Sequence, residues 1–170
     1  DSLSRILCIA IPNGVEYIDD EAFQFCEKLY SVTIPESVKW IGEDAFNLCD
    51  RLRTIVWNAR HCNIPREGER FVYSSPIGLD RESITSISFG DSVEYIPQNV
   101  CKEVAGLTSV TIGKNVKEIG KDAFRDCDAI ESVVIPASVS SIGYGAFGSY
   151  DAALRSVTLL GDTEISGAFE

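Results

Sequence analysis

The chain has 170 residues, 45% hydrophobic and 24% charged, a balance that suits a packed core and excludes a disordered chain. Its net charge of −11 and pI near 4.5 argue against nucleic-acid binding, which needs a basic face to displace counterions. No apolar run approaches the ~18 residues of a membrane span, so no membrane insertion is expected of these residues.

An internal repeat organises everything else. Units start at Ile6, Leu29, Leu52, Ile84, Leu107, Ile130 and Leu154, at spacings of 23, 23, 32, 23, 23 and 24. Five leading residues precede them and no linker is left over, so residues 1–170 read as a single domain with one long, irregular unit at 52–83. Each unit opens with a short β-branched run such as Leu107-Thr-Ser-Val-Thr-Ile112, which predicts a strand. Pro12, Pro35, Gly90, Gly113 and Pro136 stop that strand. A second extended piece follows, such as 115–119, closed by Gly120. Lys121-Asp122-Ala123-Phe124 and its equivalents then predict one short helical turn, with an acid near its N-terminus to satisfy free N–H groups.

The same residue types recur at the same offset, so the copies must stack. Apolar columns run Ile11, Ile34, Trp57, Phe89, Ile112, Ile135, then Val15, Val38, Val93, Val116, then Ile18, Ile41, Ile96, Ile119. Another runs Phe23, Phe46, Phe124, Phe147, with Cys101 in the place of a Phe. One coil cannot bury these faces alone, whereas neighbours ~4.8 Å apart can. Each buried Phe or Ile contributes roughly 1.5–3 kcal/mol. The expected fold is a β-dominated α/β repeat solenoid of about seven coils, each with two short strands and one helical turn.

The run Ile34-Pro-Glu-Ser-Val-Lys-Trp-Ile-Gly-Glu-Asp-Ala-Phe-Asn-Leu-Cys49, repeated from residue 6 to about 160, resembles the BspA-like leucine-rich-repeat family of bacterial surface proteins. The resemblance implies a right-handed leucine-rich-repeat superhelix, a secreted or cell-surface location, and a role in adhesion or host-ligand binding.

Residues for catalysis are scarce. His61 is the single histidine, and it adjoins Cys62, whose side chain points the other way in an extended segment. There is no glycine-rich phosphate loop, no H-E-x-x-H and no C-x-x-C. Acids such as Asp19-Asp20-Glu21 read as helix-start caps. No catalytic, metal-binding or cofactor-binding residue is assigned, and a non-enzyme is expected. Cys26, Cys49 and Cys127 share a column with Val104 and Tyr150, which reads as an apolar slot filled by free thiols.

Candidate binding residues fall in two places. Tyr17 and Trp40 occupy a column that holds Glu118 in a later coil, so they read as an exposed aromatic patch, with mutual packing as the simpler alternative. The long unit carries Arg60, Arg66, Arg70, Phe71 and Tyr73, the residue types that anchor interfaces. Between Arg51 and Ser83 six Arg face four acids, a net +2 within an acidic chain. Insertions in repeat arrays gather on one face, but a structural bulge is the alternative, supported by Trp57 in the inward Ile column. A flat hydroxyl ladder, Ser31, Thr54, Ser86, Ser109, Ser132 and Ser156, lines the strand face and also simply suits regular pairing.

The expected partner is a host protein, matrix protein or glycan. The alternative is a passive spacer that projects other domains. The chain has no Met, an initiator included, which implies a processed or excised piece. Leu3, Ile6 and Ile9 open the stack, and Leu159, Ile165 and Phe169 close it, without polar caps. Flanking repeats or end-to-end self-association are therefore expected.

Overall fold

In the computed structural model, which describes residues 7–63, 75, 82–149 and 153–170, each unit lays its first strand directly beside that of the preceding unit. The first face comprises β1 (Cys8–Ala10), β3 (Ser31–Ile34), β5 (Thr54–Trp57), β6 (Ser86–Phe89) and β8 (Ser109–Ile112) in one parallel sheet. It continues with the parallel pair β10 (Ser132–Ile135) and β12 (Ser156–Leu159). The second face holds two-residue strands: β2 (Tyr17–Ile18) with β4 (Trp40–Ile41), and β7 (Tyr95–Ile96), β9 (Glu118–Ile119) and β11 (Ser141–Ile142). All pairings are parallel, and residues pair with their repeat equivalents, Ser31 with Thr54 and Thr54 with Ser86. The chain is thus a β-solenoid. Its seven first-face strands bound six turns, fewer than the seven coils expected, because the last unit, 154–170, is shorter than a full repeat and has no second strand.

Side chains alternate across each strand. In β3, Val32 and Ile34 are buried, whereas Ser31 and Thr33 face outward. The columns of Ile and Val fill the space between the two faces, and Leu29, Leu52 and Leu107 close it at each unit's start.

The expected helical turn does not form: the described residues contain no helix. The segments around the Ala-Phe pairs are turns in which two residues, four apart, take left-handed backbone conformations. Asp44 and Leu48 (φ 52° and 56°), Asn99 and Glu103 (58° and 65°), and Asp122 and Asp126 (52° and 55°) hold these places. Gly145 takes the first of them in the next unit (φ 64°). Asp, Asn and Gly tolerate this region better than other residues, which explains the acid before Ala-Phe better than helix capping does. The N–H groups run along the stack instead of up a helix. Asp122, Phe124 and Asp126 donate to Tyr144, Ala146 and Gly148 carbonyls at 3.1, 2.8 and 2.9 Å. A helix would close those bonds within one coil and leave the next coil's carbonyls unpaired. Asp20, read as part of a helix start, instead accepts the Glu43 N–H through Oδ1 at 2.9 Å.

Close stacking also calls for glycine after β4, β9 and β11, whereas Asp19 and Pro97 follow β2 and β7. A Cβ on Gly120 would lie 2.5 Å from the Gln98 backbone nitrogen, so no larger residue fits without spreading the coils.

Aromatic packing departs from the simple columns. Phe23 stacks on Phe46 at 5.1 Å, and Phe124 on Phe147 at 5.1 Å, as the repeat requires. In the middle, Cys101 stands where a Phe belongs. There Phe89, from the strand column, crosses over to meet Phe124 edge-on at 5.9 Å, and Trp57 packs on Phe89 at 6.1 Å. A large residue at the strand position offsets a small one at the turn position.

Candidate ligand-binding surface

The second face carries the most varied exposed chemistry. Ile18, Ile41, Ile96, Ile119 and Ile142 point inward from its strands, so the residue before each points out. Tyr17 and Trp40 are register partners on β2 and β4, and Trp40 also bridges to Asn63 in the third unit. Tyr17 is 64% exposed and Trp40 half-buried, so the two sequence-predicted aromatics stand side by side on an accessible face. The row changes character further along. Tyr95 pairs with Glu118, Glu118 with Ser141, and Ser141 bridges to Glu164.

The flanking column is charged. Lys39 Nζ donates to Glu16 Oε1 at 2.7 Å, and this contact raises the lysine pKa. Arg60 lies exposed at the opening of the irregular unit, with its Nη1 3.5 Å from Glu94 Oε1. His61 Nε2 is 3.4 Å from Glu94 Oε2, so one carboxylate holds both side chains. The ladder is displaced here. Lys39 and Lys117 N–H groups each donate to the carbonyl of their own column, Glu16 and Glu94. The Glu94 N–H reaches Arg60 O at 3.3 Å, two residues short of Cys62, which holds that column in the third unit. This displacement sets Arg60 and His61 against Glu94, the residue before the second-face strand β7. Arg66, Arg70, Phe71 and Tyr73 lie outside the described residues, as does Tyr150 of the cysteine column.

Asn63 and Glu94 were not singled out from the sequence. Asn63 lies 23 residues after Trp40, so the period identifies it once the extra residues are placed beyond it. Nothing in the repeat pattern marks Glu94 as a double acceptor, because its partners come from the coil that breaks register.

The first face offers the hydroxyl ladder. Ser31, Thr54 and Ser86 are half-buried, and Ser109, Ser132 and Ser156 exposed, all in register along the sheet. It is flat and uncharged.

The six cysteines form no disulfide. Five are buried and Cys8 is exposed. Cys49 Sγ donates to Phe23 O at 3.2 Å and Cys127 Sγ to Cys101 O at 3.0 Å, so the sulfurs also tie coils together. Burial raises the pKa of Cys26, Cys101 and Cys127, and pushes Cys62 up to about 12. Unfolded thiols ionise near ~8.5. A pKa raised by folding gives stability that is complete below the unfolded value and lost as pH climbs toward the folded one. The thermal midpoint should therefore hold from pH 7 to 8 and fall steadily above about pH 9. Titration of the native protein with a chromogenic disulfide reagent should release one equivalent rapidly, from Cys8, and the remainder only in denaturant. Rapid native release of several equivalents would contradict the packing described. Among the described residues no three His, Cys, Asp or Glu side chains gather as a metal site.

A family model for the BspA type leucine rich repeat region matches the chain in six copies, over residues 2–68 and 79–168. No curated protein sequence matches it. Among solved structures it is similar to a leucine rich cell surface protein from Faecalibacterium prausnitzii, with 26% identity, TM-score 0.53, and coverage of 94% of this chain and 48% of that one. A leucine-rich repeat protein from Eubacterium ventriosum shares 19% identity, with TM-score 0.60 and coverage of 88% and 44%. One from Bacteroides ovatus shares 18%, with TM-score 0.54 and coverage of 91% and 45%. These last two likenesses concern the fold alone. The chain spans about half the length of these three structures. The stacked β-coils, their period and the six-copy match agree: the chain belongs to the BspA-type leucine-rich-repeat family.

Proposed function

We propose that the chain is a non-enzymatic recognition module of a bacterial cell-surface protein, binding a host protein, matrix protein or glycan through its second face. The observation that carries the reading is the juxtaposition of Tyr17, Trp40 and Asn63, with the Arg60–His61–Glu94 cluster beside them. Exposed aromatics bring contact area at low entropic cost, and Arg, amide and carboxylate groups at their edge give directional bonds. The Faecalibacterium relative, described as a cell surface protein, supports the location. Arg66, Arg70, Phe71 and Tyr73 belong to the same irregular unit as Arg60 and are proposed as further contacts.

The test is a glycan and matrix-protein array probed with the chain and with a Tyr17→Ala/Trp40→Ala variant. Binding to at least one member, weakened about tenfold or more in the double variant, is expected. Exchanging Arg60, Arg66 and Arg70 for Glu then tests the loop separately. Silence across the whole array would favour a passive spacer, whose surface needs no ligand.

A further inference from the structure

A separate polar cavity lies at the corner where each coil passes from the first face to the second. It measures about 360 Å³ and spans the first four coils. Ile11 and Pro35, both buried, contribute its apolar surface. Asn13, Glu36 and Asn58 bring two amides and one carboxylate, and the hydroxyl-bearing Thr33 and Ser92 complete the lining.

Two features separate this corner from its equivalents. In coils four and five the same turn is closed by its own side chains. Lys114 Nζ sits 3.1 Å from Asp91 Oδ2, its N–H donates to Asp91 Oδ1 at 3.3 Å, and Asn115 Nδ2 donates to Asp91 O at 2.8 Å. That contact lowers the Asp91 pKa. In coils one to three, among the described residues, the side chains of Asn13, Glu36 and Asn58 have no intramolecular hydrogen-bond partner. The second feature is Asn58 itself. It replaces the proline found at this position in coils one, two and six. Its backbone carbonyl accepts the Ser92 hydroxyl at 2.7 Å, and its side-chain Oδ1 occupies space that a Cβ at Gly90 would fill. Gly90 therefore makes room for an amide that the fold does not use.

We propose that this cavity is a binding site for a neutral saccharide, the terminal unit of a glycan chain. Amides both donate to and accept from vicinal hydroxyls, a carboxylate accepts from them, and an apolar surface suits the C–H face of a sugar ring. Glu36 is the one charge of the lining, so it disfavours acidic sugars. One carboxylate and two amides fall short of the six to eight oxygens that Ca²⁺ takes. Thr33 belongs both to this cavity and to the outward rows of the first face, so a longer glycan leaving the site meets further hydroxyl groups. The site is distinct from the Tyr17–Trp40 face and does not depend on it.

The experiment titrates the methyl glycosides of glucose, galactose, mannose and N-acetylglucosamine, one at a time, into the ¹⁵N-labelled chain. At least one should give saturable shifts at the side-chain amides of Asn13 and Asn58 and at the Ser92 N–H. Asn58→Ala and Glu36→Ala should each weaken that binding about tenfold, the scale of one lost hydrogen bond to the ligand. Gly90→Ala should do the same without removing a polar group, because its methyl displaces the Asn58 amide. Tyr17→Ala should leave it unchanged, which separates failure of this site from failure of the second-face reading. The three cavity variants alter different atoms, so one that loses its native amide spectrum leaves two decisive. Absence of saturable shifts at these residues with all four glycosides would overturn the proposal, as would parent-like binding by the folded variants.

Discussion

Truncating Phe124 to alanine should destabilise the chain by about 3–5 kcal/mol, the range for removing a buried aromatic from a packed core. Phe124 is almost wholly buried and lies between Phe89 and Phe147, at 5.9 and 5.1 Å. Its neighbours belong to adjacent coils, and each coil's backbone is tied to the next, so collapse into the cavity would break the inter-coil bonds of Phe124 and Cys101. For a chain of this size the thermal midpoint should drop on the order of 10 °C. Phe23→Ala, at a half-buried position in the first coil, should cost clearly less. Urea and thermal unfolding followed by circular dichroism would measure both. Equal losses at the two positions would mean that the aromatic ladder does not bear on stability as its packing indicates. A repeat array can unfold in stages, so the comparison belongs to the transition that includes the middle coils.

The second large effect concerns the exchange between Phe89 and Cys101. Restoring the repeat residue alone, Cys101→Phe, should destabilise by about 1–3 kcal/mol, because Phe89 already reaches across to Phe124 and the interior has no room for another ring. Phe89→Ile alone should cost about 1–2 kcal/mol through the space it opens. Combined, the substitutions recreate the arrangement of the following coil, Ile112 at the strand and Phe124 at the turn. The double variant should then lose less than the two single losses together, by at least about 1 kcal/mol. Strict additivity would show that the two positions do not share one volume.

Much of this architecture was legible because a repeat states the same physical requirement several times. Ile34, Trp57, Phe89 and Ile112 recur at the end of the first strand, and the structure pairs them as neighbours. The exposed place of Tyr17 followed from Glu118 in the same column, since a position that accepts a carboxylate faces water, although Trp40 in that column is half-buried. The turn was misread for a comparable reason. An acid before Ala-Phe suits a helix cap and a left-handed residue equally, and a single-coil reading cannot tell them apart. Only the neighbouring coil, with carbonyls waiting at Tyr144, Ala146 and Gly148, makes the extended turn the better-bonded choice.

The candidate surface was less legible. Arg60 stood out by charge and Trp40 by its column, but the contact of Arg60 with Glu94 goes with a ladder that slips by two residues in the third unit, which no period encodes. The Asn58 cavity likewise requires knowing that Asp91 and Lys114 satisfy each other while Asn13 and Glu36 remain open. By itself the amino-acid sequence determined the stack, its inward columns and the residues free to vary outside it, because burial and backbone pairing act alike on every copy. The tertiary structure alone decided how Phe89 compensates Cys101, which way the turn closes, and which exposed side chains meet across coils. Those outcomes depend on contacts between units that differ from one another, and a repeat pattern describes only what the units have in common.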